Sequence, residues 1–358
     1  VRQVRGLHLG GLGLCGIYGG VHALVDASTA GPLYAALAFH AVPPERRFWL
    51  IILYDLLAFA AQAPLGAFLD FVKKPRAFAC AGIGLSVLGL FFLQADPLLA
   101  VILAGTGNAL FHLGCGALSL LATPRDSAGV GLFVAPGALG LGLGTWLGKS
   151  GAFPAALMVL LLGLAAAAIA AVRPDAGYER RAELREEVRL SWAALVLLLG
   201  SILIRSLIGS TAKYPLEKGL PLLVAMSAAA ALGKGLGGLA ADRFGWLRSS
   251  AIALALSAPL LAFNGGSLWV AAIGMLLFQA TMPVTLRATA GIVPRFPGLA
   301  FGLNCLALEL GALVNASTLK YSFYKPWAQL GTIAAALAAL SIALSLFRER
   351  GARAVRAL

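Results

Sequence analysis

The sequence predicts an all-α polytopic membrane protein with twelve transmembrane helices in two pseudo-symmetric six-helix bundles. Three observations carry this prediction. Apolar residues make up 60% of the 358-residue chain and charged residues only 12%, against roughly 25% charged in soluble domains, and mean hydropathy is +0.88. The apolar residues form runs close to the ~20 that a spanning helix needs. The one polar stretch of any length, 173–189 (RPDAGYERRAELREEVR), falls at the midpoint and divides the chain into 1–172 and 190–358. A soluble enzyme, a disulfide scaffold and a disordered chain are excluded, and no second domain outside the bilayer is expected.

Each span is bounded by charges or turn residues. The first, 9–39, follows the basic start of the chain, and the second, 48–69, lies between Arg46-Arg47 and Lys73-Lys74. Asp96-Pro97 separates the third and fourth, 77–95 and 98–121. The fifth, 128–148, ends at Lys149, and the sixth, 153–172, ends at Arg173-Pro174. Beyond the linker, the seventh (190–211) stops before Lys213, the eighth (219–241) at Asp242-Arg243, and the ninth (249–264) at Gly265-Gly266. The last three occupy 268–290, 299–319 and 326–347, with Pro294, Pro297 and Pro326 between them.

A formal net charge of +13 suggests a nucleic-acid partner until the charges are located. With the N-terminus inside, 19 Lys and Arg, Arg287 among them, fall on the inner side, 7 on the outer side and 2 within spans. That asymmetry orients a membrane protein and places both termini in the cytoplasm. No nucleic-acid partner is expected; the lipid bilayer takes its place. Cys15, Cys80, Cys115 and Cys305 lie in apolar runs without CxxC spacing and read as small buried hydrophobes. The first apolar run is too long for a cleavable signal and leads into further spans.

An internal repeat supports the two-bundle division. After the second span the chain reads GAFLDFVKKPR, with Gly66, Asp70 and Arg76; after the eighth it reads GLAADRFGWLR, with Gly238, Asp242 and Arg248. Gly-x-x-x-Asp with Arg six residues later thus recurs at an offset of 172. These segments resemble the signature loops of the major facilitator superfamily, between helices 2 and 3 and between helices 8 and 9. The first copy departs from the family pattern in lacking Gly three residues after Asp70, whereas the second keeps Gly245. The resemblance covers essentially the whole chain and implies rocking halves, with Asp70, Arg76, Asp242 and Arg248 as parts of a conformational latch. Such a carboxylate pairs with Arg or with helix-terminal amides in one state and releases them in another. GTGNALFHLGCGALSL and LFQATMPVTL are also similar to segments of small bacterial facilitators of the fosmidomycin-resistance group, which implies a bacterial exporter. GLFVAPGALGLGLG resembles the fifth-helix pattern of facilitator antiporters, with Ala135-Pro136-Gly137 in place of its Gly-Pro order. Pro136 is expected to mark a gating bend; close packing through small residues is the other reading.

Ionisable residues inside spans are costly and face a cavity or one another. Here they are His22, Asp26, Asp55, His112, Arg205, Lys234 and Glu309. His22 and Asp26 stand four apart on one helix face. A carboxylate there can exchange a proton as the cavity opens to either side, so Asp26 with His22, and Glu309 as a second candidate, are expected to couple transport to protons. A structural His–Asp pair is the competing reading. Two ligands on one helix do not make a coordination sphere, so no metal or other cofactor is expected. Arg205 and Lys234 suit capture of an anion or serve as counter-ions to the acids. Lys234, eight residues before the loop, lies roughly 12 Å from the inner end. Asn108 and His112 on one face of the fourth span, Gln279, Thr281 and Thr285 in the tenth, and Asn304 in the eleventh are hydrogen-bonding groups for a substrate or between helices. Asp55, near the outer end of its span, is assigned to gating.

The chain therefore reads as a secondary active transporter that moves a small solute by alternating access, acts as a monomer and is driven by protons. An organic-anion carrier using Arg205 and Lys234 is the alternative. A polytopic membrane enzyme is the remote one: the linker holds no His, Cys or Ser, and P-loop, HExxH and GxSxG signatures are missing from the sequence.

Overall fold

A computed structural model describes residues 10–39, 42–92, 95–172, 191–211 and 219–356; the linker, Lys213 and Lys218 lie outside the described residues. Among the described residues the secondary structure is helical, without a strand. Nine helices there are long and apolar enough to cross a membrane, and two apolar ones, Ala155–Ala171 and Trp246–Ala262, are shorter. The first half comprises α1 (Gly11–Phe39), α2 (Pro44–Asp55), α3 (Gln62–Val72), α4 (Pro75–Phe92), α5 (Pro97–Ala122), α6 (Ser127–Lys149) and α7 (Ala155–Ala171). The second comprises α8 (Trp192–Thr211), α9 (Leu220–Phe244), α10 (Trp246–Ala262), α11 (Leu268–Gln279), α12 (Met282–Ile292), α13 (Pro297–Ala312) and α14 (Pro326–Arg356).

Two of the anticipated spans are interrupted. A π-helical turn, Leu56–Ala60, joins α2 to α3 directly after Asp55, a distortion that often sits at functional sites. The tenth span breaks between α11 and α12, where Pro283 has no N–H to continue the ladder. Past Ala312 the expected continuous helix to 319 gives way to two 3₁₀ segments, Leu313–Ala316 and Thr318–Tyr324. Arg287, counted above with the inner side, is a buried residue of α12 that donates to the Leu120 carbonyl at 3.3 Å.

Lipid and protein are equally apolar, so these helices associate by close packing rather than by burying grease. α6 shows how. A Cβ on Gly140, Gly144 or Gly148 would fall 2.1, 2.5 and 2.2 Å from the carbonyl oxygens of Ala23, Ala27 and Gly31 on α1. α6 remains one helix through Pro136, and its four-residue glycine spacing is a packing stripe. Gly140→Val should therefore lower the melting temperature clearly, since overpacking costs ~1–3 kcal/mol. Gly163→Val, where a Cβ meets nothing within 4 Å, should leave it unchanged in the same assay. Large side chains such as Phe71 (84% exposed) and Trp269 (75%) cover the outside, as a lipid-facing surface requires.

Candidate functional site

Four polar side chains meet inside the first half. His22 and Asp26 project from one face of α1, and Asn108 and His112 from one face of α5. His22 Nε2 lies 3.1 Å from Asp26 Oδ2, His112 Nε2 lies 3.5 Å from Asp26 Oδ1, and the two Nε2 atoms are 2.6 Å apart. Each ring also faces a backbone carbonyl through Nδ1: His22 that of Phe133 at 2.9 Å, His112 that of Asn108 at 2.8 Å. A carbonyl oxygen only accepts, so both Nδ1 atoms carry hydrogen and both Nε2 atoms turn inward. Asn108 Nδ2 donates to Asp26 Oδ1 at 3.0 Å and to Thr29 Oγ1 at 3.3 Å, and Tyr54 donates to the same hydroxyl at 2.9 Å. Phe111 and Phe133, both fully buried, pack their rings against His22. Gly137 on α6 leaves room for the cluster, since a Cβ there would stand 2.3 Å from His22 Nε2.

The second half builds a different site. Arg205 of α8 is buried, and its Nη1 donates to Thr281, its Nη2 to Thr285 at 3.3 Å and its Nε to the Ser201 carbonyl at 3.3 Å. The threonine hydroxyls point their own hydrogens at helix carbonyls, so they are free to accept from the guanidinium. No carboxylate lies within salt-bridge distance of Arg205 among the described residues. It lines a cavity of about 400 Å³ together with Ser206, Gln279, Thr285, Asn304 and Cys305. The residues expected to bind substrate are thus divided: Arg205, Gln279 and Asn304 share this cavity, whereas Asn108 and His112 join Asp26. Lys234, half-buried on α9, is on neither wall. Glu309 is buried on α13 with no cationic partner within 4.0 Å among the described residues.

The repeated loops hold the halves together. Asp70, on α3, accepts the Gly298 and Leu299 N–H groups at 2.8 Å each, at the start of α13. Asp242, on α9, accepts the Ser127 N–H at 2.9 Å, the Ser127 hydroxyl at 2.7 Å and the Ala128 N–H at 2.8 Å, at the start of α6. Each carboxylate caps a helix N-terminus of the opposite half, where unpaired amides and the helix dipole favour an anion.

No protein-family model matches the chain, and no curated protein matches it. Solved structures do. The transporter FucP in its outward conformation aligns with a TM-score of 0.67 at 14% identity, over 95% of this chain and 98% of that one. The chain has the major facilitator fold. A second structure, described as the E. coli fucose:proton symporter, aligns at 0.66 with 16% identity over 94% and 97%. The human organic anion transporter MFSD10 aligns at 0.58 with 16% identity over 95% and 97%.

Within this facilitator fold the anticipated latch acids are at the seam between the halves, but their arginines are not on them. Arg76 donates to the Val172 carbonyl at 3.4 Å, and Arg248 makes no ion pair within 4.0 Å among the described residues. The acids bind helix-end amides instead. Sequence reasoning missed Thr29 and Tyr54 beneath Asp26; both are ordinary polar residues in an apolar run. It also missed Ser127, although a Ser opening an apolar run behind Asp126 is a cap signal.

Proposed function

We propose that the protein is a secondary active transporter of the major facilitator type that carries a small organic anion by alternating access. In this reading two six-helix halves, 1–172 and 190–358, rock about the centre of a twelve-span monomer. The protein sits in a bacterial inner membrane with both termini in the cytoplasm. The observation that carries the anion is Arg205: a buried guanidinium with no carboxylate within salt-bridge distance among the described residues, opening on a cavity. Three of its five N–H bonds are used by Thr281, Thr285 and Ser201. Two remain for the planar fork that a carboxylate fits. MFSD10, which shares this fold, is an organic anion transporter, in agreement with this choice.

Proteoliposomes should exchange a labelled monocarboxylate from a test panel and leave neutral sugars behind. Two charge-assisted bonds at ~1.5 kcal/mol each make Arg205→Gln about a hundredfold weaker for that anion, and Arg205→Lys should recover part of the loss. Wild-type anion exchange by Arg205→Gln, or transport confined to neutral sugars, defeats the assignment.

Proton coupling is favoured by a second observation, the buried Glu309, which has no ion-pair partner among the described residues. Such a carboxyl can take up a proton when its surroundings close and release it when water returns. The fucose:proton symporter, which shares this fold, supports a proton as the coupling ion. Asp26 and His22, once grouped with His112, are given a different role below.

A further inference from the structure

The cluster in the first half contains more than a coupling carboxylate needs. We propose that His22, His112 and Asp26 form a binding site for a divalent first-row transition-metal cation of the zinc class. His22 with Asp26 is only half a coordination sphere; α5 brings the third ligand. Because both Nδ1–H groups are committed to backbone carbonyls, two Nε2 atoms and a carboxylate converge on one centre. Neutral imidazoles in this tautomer would set two lone pairs 2.6 Å apart, a repulsion that a cation between them removes.

The distances suit such an ion. Ligand atoms at ~2.0–2.2 Å from a common metal stand about 3.3–3.6 Å from one another at tetrahedral angles. The separations in this cluster are 2.6 Å between the two Nε2 atoms, 3.1 Å from His22 to Asp26 Oδ2 and 3.5 Å from His112 to Asp26 Oδ1, so the two shorter ones have to open, neither by more than about an ångström. The surrounding shell is the one that metal-bound histidines have: each far ring nitrogen is fixed on a carbonyl, and the carboxylate is held by Asn108. Two imidazoles with one carboxylate select zinc, iron or manganese over the all-oxygen ions magnesium and calcium. Gly137 contributes too, since a Cβ there would sit against the ligating nitrogen of His22.

This inference is independent of the anion reading, because metal binding is measured without any solute. Calorimetry on the tag-free full chain in detergent should show one saturable Zn²⁺ per chain, and Co²⁺ should give a visible absorption band from nitrogen and oxygen ligation. His112→Ala and Asp26→Asn should each weaken Zn²⁺ more than tenfold, while Glu309→Gln leaves it unchanged. If those variants fail to fold, the unmodified chain still decides. Its melting temperature should rise with Zn²⁺ concentration and not with Mg²⁺, and Zn²⁺ should shield His22 and His112 from carbethoxylation. Failure of the unmodified chain to bind Zn²⁺ saturably overturns the proposal and leaves one shared proton as the occupant. Binding that survives both His112→Ala and Asp26→Asn places the metal elsewhere and overturns it equally.

Discussion

Exchange turnover is expected to fall at least tenfold when Asp70→Asn and Asp242→Asn are combined, with solute affinity held within about twofold. Both carboxylates reach across the seam and accept helix-end N–H groups of the other half at 2.8–2.9 Å. Hydrogen bonds to a charged group are worth ~1.5–3 kcal/mol each. An amide removes the charge, and one of its two ends cannot accept at all. Losing even ~1.4 kcal/mol at the seam moves the balance between the two states tenfold. Neither carboxylate lines the Arg205 cavity, so affinity within one state should be untouched. The single variants should have similar effects, because the two latches are built alike at an offset of 172 residues. Thiol labelling of a cysteine placed beside Gly298 reports the shift directly. Unchanged labelling together with unchanged turnover in the double variant would falsify the latch.

The helices of this protein are legible because lipid imposes one simple rule, an apolar run of fixed length between polar ends. The expected 128–148 and the observed Ser127–Lys149 differ by one residue at each end. The break at α11 and α12 announces itself through Pro283, but nothing in Leu56–Ala60 signals a π turn, because that distortion depends on what packs against it. The candidate site was half legible. Spacing alone pairs His22 with Asp26 and Asn108 with His112, yet only the crossing of α1 and α5 turns two pairs into one cluster. Asp70 and Asp242 stand out by repetition, whereas their partners are backbone amides, which every residue but proline carries. Arg76 and Arg248 repeat equally well and make no ion pair with those acids. Repetition therefore located the seam and did not define its chemistry.

Glu309→Gln is expected to abolish accumulation driven by a pH gradient while leaving exchange at equal pH within about twofold. The amide has the shape of the protonated carboxyl and cannot release a proton, so a cycle that needs release loses its driving force and keeps its solute path. Glu309 is 3% exposed, and no Lys, Arg or His stands within 4.0 Å of it among the described residues. That second fact separates coupling from a structural role. Were Glu309 the counter-ion of a buried cation, its neutralisation would strand that charge at a cost of ~3–5 kcal/mol and the melting temperature would fall. Without such a partner, Glu309→Gln should melt at the wild-type temperature or above it. Accumulation at the wild-type rate in Glu309→Gln, or a drop in melting temperature with transport intact, assigns Glu309 to structure and ends the proton-coupling reading at this position.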